Sequence, residues 1–546
     1  MKYFIFVFAI LLSFTSCRKK TLDPDHQITI DSVFINGVTV FNNTLMKDLN
    51  YEAVVINVVF NEPVDTSLFN QEKIAVYGQS VNPYQYSFNS NLKELTIIPD
   101  SPLLPFSLYH LIIDQGHNLG GLIYQGYDFP FRTRLDTTPK FPEISDDSLL
   151  TLVQKKTFGY FWDYGHPVSG LARERFSSGE TVTSGGSGFG VMAILVGIRR
   201  GFITRQEGYE RINKIVTFLA RPETDRFHGA FPHWLNGTTG KVIPFSSNDN
   251  GGDLVETSYL IQGLLTAREY FSNGTPEEKA MCRIITTLWE AVEWDWYRKD
   301  NQDILFWHWS PNKGWTMNMS ISGWNEALIV YVLAASSPTH SIPKSVYSNG
   351  WARNGTIRNN KIFYGIQLPL GEDKGGPLFY AHYSFLGLDP RNLSDQYASY
   401  WSQNVAHSKI NQAYCAANPK NYAGYSDSCW GLTASDIQNG YTASSPSNDR
   451  GVIAPTAALS SFPYTPQESM KALKFFYYIL GDKMFGNFGF YDAFNLSASW
   501  FATSYLAIDQ GPVICMIENY RSGFLWDLFM SDIEVRNGLT KLEFIY

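Results

Sequence analysis

Three carboxylates fall within eight residues in the segment Ser247-Asn-Asp249-Asn-Gly-Gly-Asp253-Leu-Val-Glu256-Thr-Ser-Tyr259. Asp249, Asp253 and Glu256 stand beside a glycine pair that lets the backbone turn tightly. Asp253 and Glu256 are three residues apart, so they share a face if the segment is helical. Carboxyl groups held this close suit glycoside hydrolysis. One acid protonates the leaving oxygen, and a second carboxylate activates water or attacks the sugar carbon. A second reading fits equally well: Asp-x-x-Glu ahead of an apolar run is a helix N-cap with a capping box.

A further acid stands in Ser322-Gly-Trp324-Asn325-Glu326-Ala-Leu, again where a loop enters an apolar run. An acid beside an indole is partly desolvated, which raises its pKa and helps it hold a proton near neutrality. The alternative is a first-turn glutamate that does no more than stabilise the helix dipole.

Ring-bearing residues cluster in the loops: His233 and Trp234, then Trp307, His308 and Trp309, then Trp315, Tyr380, His382, Tyr383 and Trp430. With Trp324 and Asn325 they could stack on and hydrogen-bond to sugar rings. Each could equally pack a core or a loop. Arg173, Glu174 and Arg175 could grip hydroxyls or pair with other charges inside the fold. His228, His233 and His308 lack metal-ligand spacing of the HExxH kind, so neither a metal nor a cofactor is expected. Residues 185–190 (Gly-Gly-Ser-Gly-Phe-Gly) have no Lys-Ser/Thr end and no preceding strand. They read as a glycine-rich helix entry and not as a phosphate loop, and no GxSxG elbow frames Ser187.

Elements of two kinds must position these groups. From about 27 to 135, short runs rich in Val, Ile, Tyr and Phe recur between turn residues, at 53–60, 73–77, 94–98, 108–113 and 128–134. That pattern predicts a small immunoglobulin-like β-sandwich. Residues 136–144 read as a linker. From 145 onward, apolar residues recur at helical spacing over 149–162, 191–199, 206–220, 254–271, 277–294, 326–335, 396–407, 466–480 and 500–507. Long aromatic segments such as 227–252 and 307–324 separate them. Long loops in a compact domain usually carry function. The mainly α region over 145–546 therefore reads as an α/α toroid whose loops build a cleft on one face.

Bulk properties agree with a sugar site. Aromatic residues make up 15% of the chain, and aromatic faces suit the C–H faces of pyranose rings. The formal charge of −8 argues against nucleic acid as a partner. Lys2, the apolar run 4–14 and the box Leu12-Ser-Phe-Thr-Ser-Cys17 predict a lipoprotein signal over 1–17, with Cys17 lipidated. The expectation is an exported protein, periplasmic or on the outer membrane of a Gram-negative bacterium, that meets the membrane only through its lipid anchor. Of the other cysteines, Cys415 and Cys429 could bridge a loop or remain free.

Taken together, the motifs resemble the glucoamylase-like domain of glycoside hydrolase family 144. They are Thr157-Phe-Gly-Tyr-Phe-Trp-Asp163, Ser184-Gly-Gly-Ser-Gly-Phe-Gly190, Phe227-His-Gly-Ala-Phe-Pro-His-Trp234 and Asp249-Asn-Gly-Gly-Asp-Leu-Val-Glu256. In the same order follow Trp307-His-Trp-Ser-Pro311, Gly323-Trp-Asn-Glu326, Ala335-Ser-Ser-Pro-Thr-His340, Phe379-Tyr-Ala-His-Tyr-Ser-Phe385, Cys429-Trp-Gly-Leu-Thr-Ala-Ser435 and Ile508-Asp-Gln-Gly-Pro512. The resemblance implies an (α/α)6 barrel that hydrolyses β-1,2-glucan or its oligosaccharides. The action is endo, or exo with release of sophorose, and inverts configuration. It maps the acidic cluster onto Asp249, Asp253 and Glu256, and the Trp-Asn-Glu acid onto Glu326. The rival readings are a non-catalytic glycan-binding lipoprotein and a barrel enzyme for another glucan linkage.

Overall fold

The computed structural model describes residues 26–78 and 83–546. The expected signal and Cys17 lie outside them. The chain divides into two compact units, one ending at Thr137 and the other spanning Thr138–Tyr546.

The N-terminal unit contains strands β1 (Ile30–Ile35), β2 (Val38–Val40), β3 (Met46–Leu49), β4 (Ile56–Phe60), β5 (Ile74–Gly78), β6 (Tyr84–Phe88), β7 (Glu94–Pro99), β8 (Leu108–Ile113) and β9 (Tyr127–Thr133). They form two sheets, ordered β2-β1-β4-β7-β6 and β3-β9-β8-β5. Alternation sets the inner faces, because successive side chains of a strand point to opposite sides. Ile56, Val58 and Phe60 of β4 are buried, as are Tyr109, Leu111 and Ile113 of β8. Both sets join one hydrophobic core, so the sheets pack face to face. Strands β1, β2, β3 and β6 fall outside the runs expected from sequence. They are short or half-exposed, and their apolar pattern is correspondingly weak.

The second unit is helical. Its first helices are α1 (Asp146–Trp162), α2 (Ser184–Arg199), α3 (Arg205–Ala220), α4 (Leu254–Phe271), α5 (Pro276–Glu290) and α6 (Leu328–Ser336). Two burial patterns appear. In α2 and α6, and in α4 from Leu254 to Ala267, nearly every residue is buried, so these helices run through the interior. In α3 and α5 only one stripe is buried, and each starts with a capping box, Thr204 with Glu207 and Thr275 with Glu278. Further helices run at Tyr400–Ala417, Pro466–Lys474, Ala507–Ser522, Phe524–Ser531 and Ile533–Lys541.

Two expectations need correction, and two others are decided. The glycine-rich segment 185–190 does open α2, as its first turns. A Cβ at Gly188 would strike the backbone of Tyr259, and one at Gly263 would strike the backbone of Gly188. Helices α2 and α4 therefore touch backbone to backbone, which compensates the helix-weakening effect of glycine. The helix expected over 500–507 is instead a short strand, Trp500–Phe501, and the helix begins at Ala507. The linker expected over 136–144 is partly tied down: Lys140 N–H donates to the Tyr478 carbonyl and Ile144 N–H to the Tyr478 hydroxyl. Cys415 and Cys429 are buried free thiols.

Candidate active site

Helix α4 delivers two of the acids, and local chemistry separates their roles. Asp253 is the N-cap: its Oδ1 accepts the backbone N–H of Glu256 at 2.9 Å. Its Oδ2 accepts from His233 Nδ1 and from Trp307 Nε1, both at 3.1 Å. With no exposed surface and three donors, Asp253 is a buried, satisfied carboxylate.

Only half of the capping box forms. The Glu256 side chain does not return to the Asp253 backbone. It crosses to α2, where Oε2 accepts from Gly185 N–H at 2.8 Å and from Thr183 Oγ1 at 3.1 Å. Gly185 is required there, because a Cβ would sit 2.6 Å from Glu256 Oε2. A small sheet sets this register: Thr181–Thr183 pairs with Trp234–Asn236, which places Thr183 opposite Trp234 and next to His233.

Glu326 lies in the turn just before α6. Asn325 Oδ1 accepts the Ala327 N–H at 2.9 Å, as a cap would. The Glu326 carbonyl accepts from the Tyr259 hydroxyl at 3.4 Å and from the Ser384 hydroxyl. Tyr259 thus ties the Glu326 turn to the helix that carries Glu256. The two glutamates line the same cleft, of about 380 Å³. Its walls also include His233, Trp234, Trp307, Phe245, Phe379 and Tyr383.

Electrostatics divides the acids further. Burial pushes the Glu326 carboxyl up to about 7, aided by the charges of Glu256 and Asp253. Burial and the charge of Asp253 push Asp249 up to about 7 as well. Asp249 Oδ1 is buried without a hydrogen-bond donor. It stands 3.3 Å from His308 Nε2, which already accepts the Gly251 N–H at 3.1 Å. Burial raises the Glu256 pKa, while His233 and the Gly185 and Thr183 hydrogen bonds oppose that rise. Burial alone would lower the His233 pKa, but Glu256, Asp253 and Asp249 overcome it and push it up to about 9. At neutral pH His233 is therefore an imidazolium, and Asp249, Glu256 and Glu326 all hold a proton more tightly than free carboxyls do.

His233, Asp249 and Asp253 bring ligand atoms within 4.8 Å of one another, as a metal site would. The donor set argues against a resident ion. Asp253 Oδ2 already accepts from Trp307 and from His233, and a protonated imidazole is no ligand.

Several sequence candidates lie elsewhere. Trp324 is buried against Phe385, Tyr400 and His407. His382 is buried and pairs with Ser461, and burial pushes its pKa down to about 3. Trp430 has no exposed surface, and its Nε1 donates to the Glu468 carbonyl. These three are core residues. Trp309 and Trp315 do not line the cleft but join His228 and Trp296 in a separate aromatic group. Asn325 makes a turn ahead of α6, its Oδ1 accepting the Ala327 N–H. The spacing of such rings along the chain carries no record of which side packs inward.

The sequence reading missed Thr183, Gly185, Phe245 and Tyr441, all at or beside the cleft. It also missed Asp436, Asp492 and Asp509, which gather behind Glu174 and Arg175, a pair expected to grip hydroxyls or to form ion pairs. Glu174 and Arg175 line the cleft, and Arg175 pairs with Glu174 at 3.0 Å and with Asp436 at 3.1 Å. Asp436 N–H in turn donates to Asp492 at 2.6 Å, and Asp492 neighbours Asp509. These four acids span residues 174–509, so no local window could join them.

A helical unit that presents a buried and a half-buried glutamate in one aromatic cleft has the chemistry of a glycoside hydrolase. The chain belongs to glycoside hydrolase family 144. A family model described as Glycoamylase matches residues 318–533. The chain is 54% identical to an endo-β-1,2-glucanase from Chitinophaga pinensis, solved as a complex with sophorotriose and glucose. That match covers 74% of this chain and 99% of the other, with a TM-score of 0.72. A β-1,2-glucanase structure from Parabacteroides distasonis is 39% identical over 92% of this chain and 74% of that one, with a TM-score of 0.71. An exo β-1,2-glucooligosaccharide sophorohydrolase (non-reducing end) of Parabacteroides distasonis is 46% identical over 424 residues. The match takes in 74% of this chain and 58% of the length of that relative.

Proposed function

We propose that this chain hydrolyses β-1,2-glucosidic bonds in β-1,2-glucan or its oligosaccharides, with inversion at the anomeric carbon. One observation carries the reading: Glu326 and Glu256 face one cleft with different partners, since Glu256 accepts from the Gly185 N–H and the Thr183 hydroxyl and lies near His233, while the Glu326 carboxyl has burial as its main influence. Glu326 is held near neutrality by burial, as a general acid should be. Burial raises the Glu256 pKa as well, but His233 and the Gly185 and Thr183 donors oppose that rise, which fits Glu256 to the base role. In the reaction Glu326 gives its proton to the glucosidic oxygen as the C1–O bond breaks. Water attacks C1 from the other face and loses its proton to Glu256. Trp234, Trp307 and Phe245 supply ring faces for the glucose units. No cofactor is needed.

In this reading the buried and half-buried helices are the inner and outer rings of an (α/α)6 toroid, and the two-sheet unit is immunoglobulin-like. The box ending at Cys17 supports an exported lipoprotein of a Gram-negative bacterium; palmitate labelling lost in Cys17→Ser tests it. The decisive experiment incubates purified protein with linear β-1,2-glucan and, separately, with starch. Sophoro-oligosaccharides from the first and nothing from the second are expected, and their sizes separate endo from exo action. Binding of β-1,2-glucan without any product would reject the proposal.

A further inference from the structure

The acids behind the cleft wall have too few hydrogen-bond donors for their charges. Asp492 and Asp509 are buried, with 3% and 2% of their surface exposed. Asp492 Oδ2 accepts the Asp436 N–H at 2.6 Å. Asp492 Oδ1 and both oxygens of Asp509 meet no N–H or O–H group of the described residues. The two carboxyl groups stand within hydrogen-bonding range of each other. The charged groups that act on Asp509 are Asp492, Asp436 and Arg175, and Tyr383 and Tyr441 lie within electrostatic reach. Arg175 is already engaged by Glu174 and Asp436. A cavity of about 10 Å³ between Thr456, Gln510 and the two acids has room for one water at most. Bulk solvent does not reach two facing carboxylates here, and the cation acting on Asp509 among the described residues, Arg175, is committed to Glu174 and Asp436.

We infer that Asp492 and Asp509 form a carboxyl pair holding one proton between them, and that the pair positions the cleft wall carrying Glu174, Arg175 and Tyr441. A shared proton satisfies the facing oxygens that no other group serves. It also leaves Asp492 Oδ2 as a charge-assisted acceptor for Asp436. Asp436 sits in the hairpin Ala434–Ile437 and Gly440–Ala443, whose Ala434, Tyr441 and Ala443 line the cleft. Its carboxylate grips Arg175 and the Ser504 hydroxyl. The proton state of the pair thus reaches the substrate through Asp436 and Arg175. Burial raises the pKa of both acids, aided by the charge of Asp436 at Asp492 and by that of Asp492 at Asp509, in keeping with retained protonation.

Infrared difference spectroscopy counts the proton without turnover, so its outcome is independent of the assigned substrate. Asp492→Asn and Asp509→Asn should each remove one protonated-carboxyl band at neutral pH. The double variant should remove no more than either single one. Losses that add, or no loss in either, would overturn the pair. If a single variant fails to fold, native protein carrying 13C-labelled aspartate gives the same count. A shared proton titrates as two widely separated steps, whereas overlapping, independent steps reject it. The positioning role rests on the glucanase reading. There Asp492→Asn should raise KM about tenfold through Arg175 with kcat within about threefold. An unchanged KM would remove that role and leave the proton count standing.

Discussion

Asp253 accepts the backbone N–H of Glu256, and by capping α4 alone it frees the Glu256 side chain for the cleft. The two residues divide the segment between them: Asp253 makes the cap, and Glu256 lines the cleft. Asp253 is structural, and it also holds His233 and Trp307 against the cleft wall.

Replacing Asp253 with Asn keeps a capping oxygen but removes the charge that faces His233. The His233 pKa should fall from about 9 toward its ordinary value. NMR titration of the imidazole reads this directly. Asp253→Ala removes the cap as well and should cost about 2–3 kcal/mol in chemical denaturation, because buried donors are left unmet.

Glu326→Gln should keep the fold and lower turnover on β-1,2-glucan by about 10²–10⁴-fold. In the native protein, activity should decline as pH rises through about 7, where Glu326 loses its proton. A kcat/KM profile across that range checks the limb, and near-native rates in the variant would rule Glu326 out as the acid.

The same substitution should stabilise the protein, but only at higher pH. The Glu326 pKa in the folded state lies above its unfolded value, so the folded state holds the proton more tightly. Stability from this group is full below the unfolded value near 4.5 and is lost as pH rises through about 7. Urea denaturation should find Glu326→Gln about 1–3 kcal/mol more stable than native at pH 8 and equal to it at pH 4.

Gly185→Ala tests the approach of α2 to Glu256, the proposed base. The new methyl would sit 2.6 Å from Glu256 Oε2 and 2.9 Å from the Tyr259 ring, so Glu256 must move. A displacement near 1 Å should cost about 10²-fold in kcat. Thermal melting, compared with native protein, separates that loss from unfolding.

Tryptophans of the core and of the cleft should respond oppositely. Trp430→Phe removes the bond to the Glu468 carbonyl and should cost about 1–3 kcal/mol of stability with KM unchanged. Trp234→Ala should raise KM on glucan while leaving the melting temperature near native. Calorimetry and initial rates on both variants give the comparison.

Local pattern carried much of this protein. Helical periodicity marked α3 and α5, because a buried stripe repeats every 3.6 residues whatever it packs against. Asp253 and Glu256 were legible as a pair because three residues make one helical turn. Glu326 stood out for its place beside Trp324 at a helix entrance. Other features have no local cause. Glu326 meets Glu256 only because Tyr259 of α4 bonds the backbone 67 residues further along the chain. Trp324, His382 and Trp430 became core, and the acids at 436, 492 and 509 converged, through packing between distant segments. Burial and charge pairing depend on which surfaces meet, and a pKa is set by that meeting, so residue type and spacing alone leave it undetermined.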